Sequence, residues 1–130
     1  MLVDENDKCL QSNKISSFES LSTSQKGELE TYVRALIQGY VQGNKEPFMV
    51  SDIVGGRFSH WGDTPLAYIY DYHKNRCITN PSAEAGKDIG RIFKYIMVND
   101  RSRKYRIAKY VQRQFLCPTY EYVGQQFYYK

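Results

Sequence analysis

Apolar residues recur at helical spacing between residues 22 and 43 and predict the longest helix of the chain. The apolar positions are Leu29, Val33, Leu36, Ile37, Tyr40 and Val41. They repeat at intervals of three and four residues, which places them on one face of an α-helix. Ser22 and Gln25 resemble a capping box at the start of this helix, and Gly43-Asn44 is typical of its end.

Two shorter helices are predicted next. Residues 47–54 are long enough for two helical turns that would direct Phe48, Ile53 and Val54 inward, and Gly55-Gly56 predicts a turn after them. Asp63 or Thr64 then caps a third helix, with Pro65 near its first position, where a missing N–H costs nothing. The apolar face of this third helix comprises Leu66, Ile69, Tyr70 and His73.

The strongest helical pattern begins at Asn80-Pro81-Ser82. Its apolar stripe comprises Ala85, Ile89, Ile92, Phe93, Ile96 and Met97. Lys87, Arg91 and Lys94 share the opposite face at spacings of four and three residues. They are either nucleic-acid contacts or the solvent side of an amphipathic helix, which commonly carries such residues.

The C-terminal third fits two patterns. Tyr105, Ile107, Lys109 and Val111 alternate as in a strand, and Ile107, Tyr110, Val111 and Phe115 also fit a helix. We favour a long β-hairpin with a basic first strand, because residues 120–124 are aromatic and β-branched and end at a glycine. Residues 76–79 are predicted to form a further short strand.

The fold class predicted by these elements is mainly α, with an α+β arrangement of four helices and a C-terminal β-hairpin in a compact domain. Residues 22–130 form this single globular domain. Residues 1–21 are polar and weakly patterned, which favours a flexible or loosely docked N-terminal arm. The predicted core comprises Leu36, Ile53, Leu66, Ile69, Ile89, Ile92, Phe93 and Ile96.

Charge is distributed unevenly along the chain. From Gly86 to the C-terminus ten Lys or Arg outnumber three Asp or Glu, whereas residues 1–30 carry six acidic residues against three Lys. The basic residues are densest at Arg101, Arg103, Lys104, Arg106 and Lys109, with Tyr105 among them. Basic side chains bind phosphate and aromatic rings stack on bases, so this run favours a polyanionic partner. The alternative is a solvated strand with ordinary surface charges.

The order of elements resembles that of winged-helix domains, the helix-turn-helix variant with a β-hairpin wing, over residues 22–124. Residues 47–54, Gly55-Gly56 and residues 63–65 look like the part before a recognition helix. Residues 82–97 look like the recognition helix, and residues 101–109 look like the start of the wing. The resemblance implies a DNA-binding module.

No residue set matches a catalytic motif such as a phosphate-binding loop, a serine elbow or a zinc helix. We therefore expect no enzyme activity, no catalytic residues, no bound metal, no cofactor and no small-molecule substrate. Cys9, Cys77 and Cys117 are odd in number and far apart, which favours a reducing, cytoplasmic compartment. No apolar run approaches the ~20 residues that span a bilayer, so we expect no membrane contact.

Two functions follow as hypotheses. The first is a small intracellular regulatory module that binds nucleic acid, DNA rather than RNA. Its contacts would be Lys87, Arg91, Lys94, Arg101, Arg103, Lys104, Tyr105, Arg106 and Lys109. The alternative is an inhibitor or adaptor of the kind that phages encode, which binds a host protein or a protein–nucleic acid complex such as a CRISPR effector. Its candidate interface comprises Arg57, His60, Trp61, Tyr120 and Tyr122, although a lone Trp is more often a core anchor.

Overall fold

Five helices and one three-stranded sheet make up the part of the chain described by the structure, a computed structural model covering residues 1–43, 46–54, 61–112 and 116–125. The helices are α1 (Ser16–Glu19), α2 (Thr23–Gly43), α3 (Val50–Val54), α4 (Ala67–Asn75) and α5 (Pro81–Val98). The strands are β1 (Leu2–Val3), β2 (Arg103–Gln112) and β3 (Leu116–Gln125). The predicted α+β class is confirmed, with one more helix and one more strand than expected. None of the described helices is both long and apolar enough to cross a membrane.

Side-chain caps fix the starts of the long helices. The backbone N–H of Ser22 donates to Gln25 Oε1 and that of Gln25 donates to Ser22 Oγ, both at 3.1 Å, so the predicted capping box of α2 is confirmed. Asn80 Oδ1 accepts from the Ala83 N–H at 3.2 Å at the start of α5. Before α4, Thr64 Oγ1 accepts from the Leu66 N–H at 3.2 Å. Caps of this kind each stabilise a helix by about 1 kcal/mol.

The C-terminal third forms a β-hairpin, as the strand interpretation predicted. Strand β2 pairs with β3 in antiparallel fashion, from Arg103 opposite Gln125 to Gln112 opposite Leu116. The register shifts between Ile107 and Lys109, where Ala108 has no opposite partner in β3. The other edge of β2 pairs in parallel with β1.

Parts of the first 21 residues are packed into the core, whereas the sequence predicted a flexible or loosely docked arm. Leu2 and Val3 are buried where β1 pairs with Tyr105 and Arg106. Phe18 of α1 is also buried, and its ring centroid lies 5.5 Å from that of Tyr95 in α5. A two-residue strand and a one-turn helix are too short to show a period, so the pattern could not reveal them.

The predicted short strand at residues 76–79 is wrong. The chain turns there instead, with Cys77 in the left-handed region at φ 56°. The Cys77 N–H donates to the Lys74 carbonyl at 3.1 Å, which closes the end of α4. The predicted turn at Gly55-Gly56 lies outside the described residues.

The core lies where α5 packs against α2, α4 and the sheet. Six of the eight predicted core residues are buried, namely Leu66, Ile69, Ile89, Ile92, Phe93 and Ile96. Leu36 and Ile53 are half-buried at the edge of this core. The opposite face of α5 carries Arg91, which is exposed, and Lys87 and Lys94, which are half-buried.

Candidate nucleic-acid interface

Helix α5 carries three basic side chains on its outer side. Lys87 Nζ lies 3.3 Å from Glu84 Oε1, and Arg91 Nη1 lies 2.7 Å from Asp88 Oδ1. The Arg91 side chain is 61% exposed in spite of this contact. Lys87, Arg91 and Lys94 line one groove together, so the structure brings together the three residues that the helical spacing had grouped.

Two cavities flank this basic face of α5. The polar pocket, about 540 Å³, is lined by residues 12–17, Tyr72, His73, Arg76, Glu84, Asp88, Arg91 and Lys94. The apolar groove, about 750 Å³, is lined by residues 49–51, Val54, Trp61, Ala83, Gly86, Lys87, Ile89, Gly90, Arg91, Lys94, residues 116–118 and Tyr120. Arg91 and Lys94 line both cavities, which makes them the boundary between the two.

A buried polar cluster lies in the wall of the polar pocket. Ser17 Oγ donates to Asp88 Oδ2 at 2.7 Å, and His73 Nε2 lies 2.6 Å from the same oxygen. His73 is only 5% exposed and Asp88 only 6%. Arg91 contacts the other oxygen of the carboxylate, Oδ1, so Asp88 is the acceptor for three side chains. Polar groups this deeply buried are stable only when paired, and this cluster meets that requirement.

His73 contacts a charged side chain through each ring nitrogen. Nε2 donates to the Asp88 carboxylate, which can only accept, and Nδ1 lies 3.5 Å from Arg76 Nη1. The Arg76 guanidinium also lies over the Tyr72 ring, 5.4 Å from its centroid. Two contacts thus hold Arg76 at the pocket.

Sequence reasoning missed most of the polar pocket. Lys14 precedes α1 and Arg76 follows α4, so neither belongs to a periodic pattern. Asp88 did leave a signal, because it lies three residues after Ala85 and four before Ile92 on the apolar side of α5. A carboxylate at a core position of a helix indicates a buried polar partner. Here that partner is His73, which the sequence had placed on the apolar face of its own helix.

The basic residues of the hairpin have a different environment. Arg106 Nη2 lies 2.6 Å and Lys104 Nζ 3.3 Å from Asp7 Oδ1, and the Arg106 hydrogen bond is the main reason that the pKa of Asp7 lies below its usual value. Arg106 also contacts Glu121 at 3.5 Å. Among the described residues that line the two cavities, none comes from residues 101–109. The structure therefore does not join these charges to the cavities along α5.

The individual hairpin residues differ in exposure. Arg101 and Lys109 are exposed, and Arg103 is half-buried. Tyr105 is buried, contrary to its prediction as a nucleic-acid contact, and burial raises the pKa of its hydroxyl. Strand β2 directs this ring into the core, where its centroid lies 5.6 Å from that of Tyr122. Tyr105 stabilises the fold and offers no surface to a partner.

Of the five residues predicted for a protein interface, the three that the structure describes are buried or half-buried. Tyr120 is buried, its pKa is raised by that burial, and its ring centroid lies 6.1 Å from that of Phe48. Tyr122 is half-buried, and Arg57 and His60 lie outside the described residues. Trp61 is also buried, and its indole Nε1 has no hydrogen-bond partner among the residues that the structure describes. Tyr120 and Trp61 nevertheless form part of the wall of the apolar groove.

The mouth of the apolar groove is formed by the start of β3. Leu116 is 61% exposed there, an unusual position for a large aliphatic side chain. On the helix side, a Cβ added to Gly90 would meet nothing within 4 Å, so the glycine leaves open space. The groove thus combines an apolar interior with basic side chains from α5.

The described residues include no group of three or more His, Cys, Asp or Glu side chains that could hold a metal ion. His73 is directed to Asp88, while Cys77, four residues later, is exposed. The four-residue spacing of His73 and Cys77 therefore results from the turn that ends α4 and is not that of two metal ligands.

No protein-family model matches this chain, and neither a curated protein nor a solved structure matches it.

Proposed function

We propose that this protein binds nucleic acid through the outer face of α5, as a small regulatory module. The observation that carries the proposal is the grouping of basic side chains from three separate parts of the chain. Lys87, Arg91 and Lys94 lie together along α5, and Lys14 and Arg76 join Arg91 and Lys94 in the lining of the polar pocket. A concave surface on which cationic side chains outnumber carboxylates attracts a polyanion and raises its rate of association.

Arg91 is the central contact in this proposal. Its guanidinium has five N–H donors, and Asp88 Oδ1 accepts from Nη1 alone. The bond to a buried carboxylate orients the guanidinium, while its exposed part can donate to phosphate oxygens. The resemblance of residues 82–97, which span most of α5, to a recognition helix favours DNA over RNA as the partner.

The hairpin has a secondary role in this proposal. Arg101 and Lys109 are exposed and can add phosphate contacts. Lys104 and Arg106 share Asp7 as a partner and are only 28% and 27% exposed, whereas Arg91 is 61% exposed beside its partner Asp88. The contribution of these two residues to affinity is therefore expected to be smaller than that of Arg91.

The proposal is tested by the salt dependence of binding to a labelled DNA duplex. Arg91→Ala and Lys94→Ala should each weaken binding and flatten the slope of log affinity against log salt by ~0.9 for every phosphate that the variant no longer neutralises. Fluorescence anisotropy over a salt series measures both quantities. Lys8→Ala is the matched control, because it removes one exposed positive charge from the N-terminal turn, away from both cavities. An equal effect of Lys8→Ala, or no binding by the unmodified protein at low salt, would refute the proposal.

A second candidate function, binding to a partner protein, is favoured by the apolar groove. Leu116 at its mouth is exposed and apolar, and Lys87, Arg91 and Lys94 form its basic side. These features suit an apolar protein segment that is flanked by acidic residues. This is the surface that an inhibitor or adaptor would use.

The groove is tested by retention of a protein from extracts of the natural host, with nuclease added to remove nucleic acid. We expect the unmodified chain to retain a specific protein after nuclease treatment and Leu116→Asp to abolish that retention, because a buried carboxylate in an apolar contact is costly. Val123→Asp is the matched control, since Val123 is also exposed on β3 but does not line the groove. Retention that disappears with nuclease, or that Leu116→Asp leaves unchanged, would exclude this function for the groove.

A further inference from the structure

We propose that the polar pocket binds the phosphate monoester group of a nucleotide, either free or at the end of a nucleic-acid strand. If the ligand is a strand end, the inference rests on the proposed nucleic-acid binding. It then adds a defined binding position for the terminal phosphate of the strand. The pocket lies beside the basic face of α5, and Arg91 and Lys94 belong to both. A strand held along α5 could therefore place its end in the pocket.

The charge of the pocket matches a phosphate monoester. Its lining includes the four cationic side chains Lys14, Arg76, Arg91 and Lys94 and the two carboxylates Glu84 and Asp88. Counted over these six side chains, two positive charges remain in excess. A phosphate monoester carries roughly 1.5 to 2 negative charges at neutral pH, whereas a diester within a strand carries only one. The monoester is thus the better electrostatic complement.

Of the four cations in the lining of the pocket, Asp88 accepts a hydrogen bond from Arg91 alone. Ser17 and His73 donate to Oδ2 and Arg91 donates to Oδ1, so both oxygens are engaged. Its effect is to orient Arg91 at the junction between the pocket and the outer face of α5. Buried and fully paired clusters of this kind are rigid, which favours a defined binding geometry.

Arg76 is the side chain best placed to hold the phosphate. It follows the last turn of α4, and its contacts with the Tyr72 ring and His73 Nδ1 hold the guanidinium along the pocket wall. A planar guanidinium matches two phosphate oxygens at once, and orienting it in advance lowers the entropic cost of binding. The side chains of Ser12, Asn13 and Ser16 supply neutral hydrogen-bonding groups on the facing wall.

The size of the pocket favours a nucleotide over inorganic phosphate. At about 540 Å³ it lies within the range of ordinary small-molecule sites, roughly 300–1,000 Å³. A phosphate ion would fill only part of that space. The remaining space can hold a nucleoside, and Tyr72 and Ile15 are among the residues that line the pocket.

The test compares single-stranded oligonucleotides of one sequence that carry a 5′-phosphate, a 3′-phosphate or hydroxyl groups at both ends. We expect one phosphorylated form to bind at least about tenfold more tightly than the hydroxyl form, which corresponds to about 1.4 kcal/mol. A nucleoside monophosphate and inorganic phosphate are titrated in parallel, with the NMR signals of the His73 ring as the readout. If the nucleoside monophosphate binds as tightly as the phosphorylated strand, the ligand is a free nucleotide. If the nucleoside monophosphate binds much more weakly than the strand, the ligand is the strand end.

Variants connect the preference to the pocket. Arg76→Gln should weaken binding of the phosphorylated strand much more than binding of the hydroxyl strand, so that the ratio of the two affinities falls to about one. Lys74→Gln is the matched control, because Lys74 is exposed two residues away and lines neither cavity. A loss of the preference in Lys74→Gln as large as in Arg76→Gln would overturn the inference.

The outcomes separate this inference from the proposed function. Equal affinity for phosphorylated and hydroxyl strands, with no shift of the His73 signals, would overturn the phosphate site and leave nucleic-acid binding intact. If neither strand binds but a nucleoside monophosphate shifts the His73 signals in a saturable way, nucleic-acid binding fails and the phosphate site stands. If neither strand binds and no probe shifts these signals, both fail.

Discussion

Phe93→Ala is expected to lower the free energy of unfolding by about 3–5 kcal/mol, the usual loss for a fully buried phenylalanine. Phe93 is 0% exposed and lies on the buried side of α5, the helix that packs against α2, α4, β1 and β2. Removal of its ring leaves a cavity that these elements can fill only by moving together. A loss of this size is a large part of the roughly 5–15 kcal/mol that stabilises a typical domain.

Urea unfolding measures this loss as a lower midpoint with an unchanged slope. Tyr110→Ala is the matched control, because it removes an aromatic ring from an exposed position on β2, where a change within about 0.5 kcal/mol is typical. A loss below about 1 kcal/mol for Phe93→Ala would contradict the buried position of this ring and the packing of α5.

Asp88→Ala should have the second large effect on stability. Without the carboxylate, the Ser17 hydroxyl and the His73 Nε2–H are buried donors that have no acceptor in the cluster. Each such group costs about 1–3 kcal/mol. The contact with Arg91 contributes little to this sum, because the Arg91 side chain is largely exposed and water can replace the carboxylate.

Thermal unfolding of a set of variants distinguishes this network from a general effect of substitution. Asp88→Asn should cost less than Asp88→Ala, since the amide oxygen still accepts one hydrogen bond. Asp71→Ala removes an exposed carboxylate from α4 and should have almost no effect. Ser17→Ala combined with Asp88→Ala should cost less than the sum of the single variants, because both remove the same bond. Strict additivity would show that the two side chains do not interact.

The elements that the sequence predicted well are those specified by neighbouring residues. Ser22 and Gln25 form their capping box three residues apart, and Asn80 caps α5 through the N–H of Ala83. The apolar stripe of α5 correctly identified Ile92 and Phe93 as core residues. Caps and helical stripes act over one or two turns, so they are readable without knowledge of the rest of the fold.

Strand alternation was informative only in part. The alternation from Tyr105 to Val111 correctly indicated a strand, but burial along β2 does not alternate, because the register shifts at Ala108 and three consecutive residues, 108–110, are exposed. It could not indicate which face is covered, because that depends on what packs against the sheet. β1 covers one edge of β2, and Tyr105 lies in the core, so a residue expected to contact nucleic acid became a core residue.

Two features depend on contacts between distant parts of the chain. They are the polar pocket and the ion pairs that Lys104 and Arg106 of the hairpin form with Asp7. Asp88 lies 71 residues from Ser17, and Asp7 lies 99 residues from Arg106. No local propensity encodes such pairs, since they form only when the packing of α5 and β2 brings the N-terminal segment beside them. The number of basic residues and the helix that carries three of them were readable from the sequence. Long-range packing determines which of those charges face a cavity and which are paired with a carboxylate. The reason is that a charged side chain is neutralised by its neighbours in space and not by its neighbours in the sequence.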